Sequence, residues 1–149
     1  DKLISKYNLS DYILLFPFCS EHLQQKKWPY YDQLIKLIKQ NHPNLKIVIA
    51  PGPDEIEKAK KLDAVSILKE DKAISISELA GLIKRSKFVV ANDTGPAHMA
   101  AHLNVKGLSL FGSHTTAYKV SIERENFKAI QVSDLKNLSA EKVFERLVL

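Results

Sequence analysis

Short apolar runs alternate with helical patterns along this chain, and this alternation constrains the fold more than any other feature. Continuous runs typical of strands buried in a parallel sheet lie at Tyr12–Phe16, 46–50, 88–91 and Gly107–Phe111, with weaker runs at 64–68 and 129–132. Apolar residues at helical spacing predict helices over residues 30–40, 54–62, 77–84 and 96–103, and Ser139 is a predicted N-cap of a last helix through Val148. The spacing predicts an α/β fold with a doubly wound, mostly parallel sheet.

The loops after the first and fourth predicted strands are expected to form a ligand site. In open α/β sheets a ligand binds beyond the carboxyl ends of the strands, where the strand order reverses. If the order is 3-2-1-4-5, the first and fourth strands are neighbours at that point. Residues 19–29 and 92–98 should therefore meet.

Composition narrows the class of protein. The chain has 149 residues, 45% hydrophobic and 26% charged, so one globular domain with its own core is expected. The net charge of +5 fits phosphate-bearing ligands, but the positive residues are scattered, without the basic stripe or aromatic platform of a nucleic-acid-binding protein. The single cysteine, Cys19, favours a reducing compartment. The longest apolar run, residues 12–19, is too short to span a bilayer.

The turn at residues 92–98 has the features of an anion site. It leads into a helix that is apolar nearly all round and is therefore expected to be well buried. Gly95 has no Cβ, so a ligand oxygen can approach the backbone N–H groups at the positive end of the helix dipole. His98, in the first turn, can donate to a phosphate or a sugar hydroxyl. The alternative is an ordinary helix cap by Asp93 or Thr94, with His98 at the surface.

Residues 19–29 offer complementary groups to the same point. Ser20 lies just past the first strand, where its hydroxyl can bind an oxyanion, and Lys26 and Lys27 supply positive charge for a diphosphate. Trp28 is expected to be a packing anchor at the start of the next helix. The alternative for the lysines is simple solvation.

An acidic pair follows the second predicted strand. In Rossmann-type sheets an acid at this position holds ribose hydroxyls, and Asp54 and Glu55 are both candidates. Acids in a first helical turn are equally favoured by the helix dipole alone.

Several function classes lack their motifs. There is no Gly-x-Gly-x-x-Gly, Walker loop, Asp-x-Asp, zinc-ligand spacing or serine nucleophile elbow. The Asp-Thr-Gly triplet at residues 93–95 also occurs in aspartic proteases, but those enzymes need it in an all-β lobe with a second carboxylate. His98 and His102 lie four residues apart on one predicted helix, where a buried helical face is favoured over a metal site.

Two motifs at matching relative positions make the chain resemble glycosyltransferase family 9, which contains the ADP-heptose:lipopolysaccharide heptosyltransferases. The first is the Asp-Thr-Gly-x-x-His turn at residues 93–98, followed by a small-residue helix and a strand that ends in Phe111-Gly112-Ser113. The second is Lys26-Lys27-Trp28-Pro29, which matches the Lys-x-Trp-Pro pattern before the family's first long helix. The resemblance covers most of residues 12–115.

The resemblance implies the GT-B architecture, in which two Rossmann-like domains face each other across a cleft. It covers only the C-terminal, donor-binding domain, which we expect at residues 12–149 after a lead-in or linker at 1–11. The implied nucleotide-binding residues are Ser20 and Lys26 near the phosphates, Glu55 at the ribose, Ile74 at the adenine, and the Thr94 and Gly95 backbone at a phosphate. The implied sugar-proximal residues are Asp93 and His98.

The resemblance further implies an inverting, metal-independent transfer of heptose or a related sugar from an ADP-sugar to a lipopolysaccharide-core-type acceptor, without a cofactor. The catalytic base and the acceptor site are expected on the N-terminal domain, so the chain alone is expected to be inactive. A cytoplasmic location with peripheral association at the bacterial inner membrane is implied, and no nucleic-acid partner is expected. Two alternatives stay open: half of a nucleotide-sugar epimerase, and a stand-alone nucleotide-binding module.

Overall fold

A parallel sheet of six strands organises the part of the chain that the computed structural model describes, residues 2–19, 26–113 and 122–149. The strands are β1 (Tyr12–Phe16), β2 (Lys46–Ile49), β3 (Val65–Ser66), β4 (Phe88–Asn92), β5 (Gly107–Phe111) and β6 (Phe127–Gln131). They lie in the order β3-β2-β1-β4-β5-β6, and each neighbouring pair is parallel. The predicted order 3-2-1-4-5 is confirmed, with β6 added beside β5.

Helices cover both faces of this sheet. One face carries α1 (Lys2–Lys6), α4 (Ile76–Arg85) and α5 (Gly95–His102); the other carries α2 (Tyr31–Asn41), α3 (Ile56–Lys60), a 3-10 turn (Leu135–Asn137) and α6 (Ala140–Glu145). Side chains of β1 alternate between the two cores, with Leu14 and Phe16 in one and Ile13 and Leu15 in the other. Because β1 is buried on both sides, it is apolar at every position. The predicted α/β, doubly wound fold class is confirmed.

Some elements differ from their predicted extent. β3 has two residues because it is an edge strand, paired with β2 alone, and Val65 is 38% exposed. The last helix ends at Glu145, before the exposed Val148, although its N-cap is as predicted: the Ser139 Oγ atom accepts from the Lys142 N–H at 3.2 Å. The expectation that the helix after β4 is well buried is wrong at its end, where Leu103 is 39% exposed.

The predicted lead-in contributes to the described fold. Leu3 of α1 and Leu9 are buried against the sheet. The Tyr7 hydroxyl donates to the Leu68 carbonyl oxygen at 2.9 Å and accepts from the Leu68 N–H at 3.0 Å. Residues 2–9 thus pack on the domain, and a domain boundary at residue 12 stays a prediction.

Candidate functional site

The loops after β1 and β4 meet at the carboxyl edge of the sheet, as the strand order predicted. The Lys26 Nζ atom lies 3.8 Å from Asp93 Oδ2, and the His98 Nε2 atom lies 3.3 Å from Asp93 Oδ1. The Asp93 side chain is 6% exposed, so its carboxylate faces these two side chains rather than bulk water. We call Lys26, Asp93 and His98 the charged cluster. It brings together three of the predicted site residues.

The start of α5 leaves backbone groups open to a ligand. Thr94, the N-cap residue, has an extended backbone and makes no side-chain cap hydrogen bond to any described residue; its hydroxyl instead donates to the Asn92 carbonyl oxygen at 3.4 Å. A Cβ added to Gly95 would meet no described atom within 4 Å, so open space borders the first turn. Pro96 has no N–H and the Ala97 N–H donates to the Thr94 carbonyl oxygen at 3.1 Å, so the Gly95 N–H and the positive end of the α5 dipole are what this turn offers to an anion. The structure therefore favours an anion site over an ordinary cap by Thr94.

A cleft of about 330 Å³ lies beside this turn. It brings together Glu55, Ile74 and Thr94, which follow β2, β3 and β4 respectively. The other walls are mostly apolar, among them Phe16 and Leu79. Apolar walls with a few polar groups are typical of a small-molecule site.

The structure separates the two acids that follow β2. Glu55 is half-buried and lines the cleft, whereas Asp54 is exposed outside it. The Glu55 Oε1 atom accepts from the Gly52 N–H at 2.8 Å, which fixes the direction of the carboxylate. Of the two acids, only Glu55 lines the cleft, and its role at a ribose stays a prediction.

The two consecutive lysines also lie apart. Lys26 belongs to the charged cluster, whereas Lys27 lines a second hollow together with Lys58 and Lys61. Of the two, Lys26 is the candidate for a diphosphate contact at the start of α5. Ser20 lies outside the described residues, and its predicted role stays a prediction.

Trp28 is confirmed as a packing anchor. Its side chain is 1% exposed, and its indole Nε1 atom donates to the Leu138 carbonyl oxygen at 2.7 Å. Its ring meets the Tyr31 ring edge-on, with 4.9 Å between centroids. The residues that follow Lys26 are thus tied to the core.

Asn92 is a site residue that sequence reasoning missed. It ends β4 and is completely buried. Its Nδ2 atom donates to the Pro17 carbonyl oxygen at 3.0 Å, and its Oδ1 atom accepts from the Tyr31 hydroxyl at 3.2 Å and from the Trp28 N–H at 3.4 Å. The sequence signal was a polar residue at the end of an apolar run, directly before Asp93.

Burial sets the protonation of two groups near the charged cluster. It raises the pKa of the Cys19 thiol, against the opposing effect of nearby lysines. It also raises the pKa of Tyr31 well above its ordinary value of 10.0. Burial thus favours the protonated form of both groups.

The described residues contain no group of three or more His, Cys, Asp or Glu side chains that could hold a metal ion. His98 faces Asp93 and His102 is exposed, so the expectation of a buried histidine face on α5 is wrong. Among residues 2–19, 26–113 and 122–149, no helix combines the length and the apolar character needed to cross a membrane.

A family model, a curated protein and solved structures all match this chain. A family model described as glycosyltransferase family 9 (heptosyltransferase) matches residues 2–147. Lipopolysaccharide heptosyltransferase 1 of Campylobacter coli is 29% identical over 114 residues, which are 70% of this chain and 33% of that protein. The structure of E. coli heptosyltransferase WaaC with ADP has a TM-score of 0.77 at 24% identity, over 90% of this chain and 42% of that one. E. coli ADP-heptose lps heptosyltransferase II has a TM-score of 0.79 at 19% identity, over 97% and 48%.

These matches differ in what they show. The chain spans about a third of the curated relative and less than half of each solved heptosyltransferase. At their low identities, the solved structures show a shared fold. The family model covers nearly the whole chain and includes both loops that meet at the charged cluster. On that match, the chain belongs to glycosyltransferase family 9, the heptosyltransferase family.

Proposed function

We propose that this chain is the C-terminal, donor-binding domain of a GT-B enzyme that transfers heptose, or a related sugar, from an ADP-sugar to a lipopolysaccharide-core-type acceptor. The observation that carries the proposal is the meeting of three elements at one edge of the sheet: the charged cluster, the open start of α5 and the apolar cleft. A nucleotide-sugar needs such elements side by side. Membership of family 9 supports this donor class.

The cleft is assigned to the nucleoside. Ile74 and Leu79 offer apolar surface to the adenine, and Glu55 offers a carboxylate to the ribose hydroxyls. Thr94 lines the cleft where it reaches α5, so a nucleoside there places its phosphates toward Gly95. The donor thus runs from the cleft to the charged cluster.

The diphosphate is assigned to the space between Lys26 and the start of α5. The Lys26 side chain is 25% exposed, which leaves its ammonium accessible to a ligand while it lies near Asp93. Negative charge grows on the diphosphate as it leaves the sugar. A fixed cation and the α5 dipole stabilise that charge more in the transition state than in the bound donor, which is what acceleration requires.

The proposed transfer inverts the anomeric carbon. The acceptor hydroxyl oxygen forms a bond to the anomeric carbon while the bond between that carbon and the diphosphate oxygen breaks. The hydroxyl proton passes to a base on the N-terminal domain. Asp93 and His98 are assigned to the donor sugar. Lys26 and the α5 dipole supply the positive charge, so we expect the transfer rate of the full-length enzyme to be unchanged by a metal chelator.

Titration with ADP, UDP and GDP, followed by calorimetry and NMR, tests the donor assignment. We expect ADP to bind most tightly, with shifts at Glu55, Ile74 and Gly95. Lys26→Ala should weaken ADP binding about tenfold, as expected for one charge-assisted phosphate contact. Lys27→Ala is the matched control, because it removes the same charge one residue away in the second hollow, and should change the affinity by less than about twofold.

Each outcome has a distinct meaning. Equal losses in the two lysine variants would attribute the effect to net charge and remove Lys26 from the site. A preference for UDP or GDP would contradict the ADP-sugar donor, and a UDP preference would favour the epimerase alternative. Failure of all three nucleotides to bind would contradict a donor site in this chain.

We expect the chain alone to bind nucleotide without transferring sugar, because the base and the acceptor site are assigned to another domain. Transfer by the purified chain would contradict this division. We also propose that the enzyme works in the cytoplasm, peripherally at the inner membrane, where a glycolipid acceptor is presented. Fractionation of cells that produce the full-length protein, before and after a high-salt wash, would test this location.

A further inference from the structure

Asn92, the last residue of β4, connects the two loops of the site, because its buried side chain is hydrogen-bonded to the loop after β1. We infer that Asn92 is a positioning residue that holds the Lys26 ammonium where it contacts the donor diphosphate. The inference rests on the proposed function, because it concerns the same site. It adds a residue that acts on the donor through another side chain.

Asn92 makes three hydrogen bonds to the loop after β1 and the start of α2. The Asn92 carboxamide donates to Pro17 at 3.0 Å and accepts from the backbone of Trp28 at 3.4 Å and the hydroxyl of Tyr31 at 3.2 Å. Asn92, Trp28 and Tyr31 are each at most 3% exposed, so water does not compete for these contacts. One side chain therefore ties β4 to both sides of the loop that carries Lys26.

Lys26 lies close along the chain to a residue that Asn92 holds. Lys26 precedes Trp28 by two residues, which span at most about 7 Å of backbone. Asn92 is bonded directly to Asp93, whose carboxylate lies 3.8 Å from the Lys26 ammonium. Holding the Trp28 N–H on Asn92 therefore keeps the Lys26 backbone beside Asp93 and the start of α5.

The positioning role of Asn92 is distinct from the packing role of Trp28. The Trp28 ring is held independently, by its burial and by the bond from its indole to Leu138. Losing the Asn92 contacts should therefore loosen the backbone around Lys26 while the ring stays in the core. A purely structural asparagine would lower stability without a specific effect on the phosphate contact.

Asparagine is suited to this position because its carboxamide both donates and accepts. An ionised aspartate at position 92 would place an acceptor oxygen against the Pro17 carbonyl oxygen, which is itself an acceptor. It would also add a negative charge next to Asp93. A serine is too short to reach Pro17, Trp28 and Tyr31 together. Asn92→Ser is therefore the informative variant, since it stays polar while releasing the loop.

The test is a double-mutant cycle with Lys26→Ala, measured in the full chain with ADP and with adenosine, which lacks the diphosphate. We expect Asn92→Ser to weaken ADP binding about fivefold and adenosine binding less than about twofold. Lys26→Ala should cost about tenfold in the parent chain but less than about threefold beside Asn92→Ser, because the ammonium is already misplaced. Circular dichroism and thermal unfolding verify the fold of each variant.

Several results would overturn the inference. It is wrong if the two substitutions act independently, or if Asn92→Ser weakens ADP and adenosine equally. If the parent chain does not bind ADP, the proposed function fails and the inference with it; if the parent binds and the cycle shows no coupling, only the inference fails.

A milder variant covers the case in which Asn92→Ser does not fold. Tyr31→Phe keeps the ring that packs on Trp28 and removes one of the three contacts to Asn92. We expect it to weaken ADP binding about twofold, leave adenosine binding unchanged and reduce the Lys26→Ala penalty. The full tenfold penalty beside Tyr31→Phe would contradict the inference.

Discussion

The neighbouring helices α4 and α5 begin in opposite ways. α4 begins with a reciprocal capping box: the Ser75 Oγ atom accepts from the Glu78 N–H at 3.1 Å, and the Glu78 Oε1 atom accepts from the Ser75 N–H at 3.0 Å. At the start of α5, Thr94 makes no side-chain cap to the residues described, and Gly95 borders open space. The α4 N-terminus is satisfied by its own side chains, whereas the α5 N-terminus has no such side-chain cap among the described residues.

The open helix obtains its stability elsewhere. Ala97, Ala100 and Ala101 are each at most 1% exposed and pack α5 closely against the sheet. Pro96 has no backbone N–H, so the first turn of α5 has one fewer unpaired hydrogen-bond donor than an ordinary helix start. Packing therefore holds α5 in place, while its first turn remains available for binding.

Gly95→Ala tests the start of α5 and should have the largest effect on ADP binding among the substitutions at the two helix termini. The added methyl group occupies the space assigned to a phosphate oxygen, so ADP affinity should fall about tenfold. Stability should be unchanged or slightly higher, because the new Cβ meets no described atom within 4 Å and alanine favours helix. Calorimetry and thermal unfolding give the two readouts. Unchanged ADP affinity would show that no phosphate lies at the start of α5.

Ser75→Ala tests the capped start of α4. In contrast to Gly95→Ala, it should lower stability and leave ADP binding nearly unchanged. Loss of the N-cap should reduce the free energy of unfolding by about 1 kcal/mol. ADP affinity should change by less than about twofold, because this terminus binds its own side chain. Chemical denaturation measures the first quantity and calorimetry the second. Ser77→Ala, in the same turn but not at the cap, is the control; a loss of ADP affinity as large as that of Gly95→Ala would contradict the comparison.

Glu78→Gln tests the capping box of α4 through the pH dependence of stability. Of the three substitutions at the two helix termini, it should have the smallest effect. The hydrogen bond from the Ser75 N–H, with a smaller contribution from Lys69, holds the pKa of Glu78 below its ordinary value of 4.5. A lowered folded-state pKa means that the ionised carboxylate adds stability above about pH 4.5, and that this stability is lost as the pH falls through the lower folded value. The difference in melting temperature between parent and variant should therefore shrink as the pH falls below about 4.5. A constant difference from about pH 7 to 3 would contradict this.

Much of the fold was predictable from local pattern. β1, β4 and β5 are buried on both faces, so apolar residues dominate each of them, with Asn92 and Ser109 as buried polar exceptions. β3 was overestimated because Ile67 and Leu68 are buried beyond the end of the strand, and apolar character alone does not distinguish a strand from a buried loop. The N-terminal helix was not predicted, because its five residues are too few for a helical period to show.

The candidate site was predictable in location rather than in detail. Parallel topology places the loops after β1 and β4 together, and the charged cluster confirms that they meet. Asn92 was missed because a polar residue at the end of a strand has no periodic signature. Its importance appears only once Pro17 and Trp28 are seen on either side of it.

The sequence by itself determined the fold class, the neighbouring loops and the residue types that they carry, because side-chain periodicity and parallel connectivity are local properties of the chain. The tertiary structure alone decided which of Lys26 and Lys27 faces Asp93, and which groups Asn92 joins. The Asn92 contacts to Trp28 and Pro17 span 64 and 75 positions. Such contacts depend on directions that the packing of the whole sheet imposes on each side chain, and no local pattern contains that information.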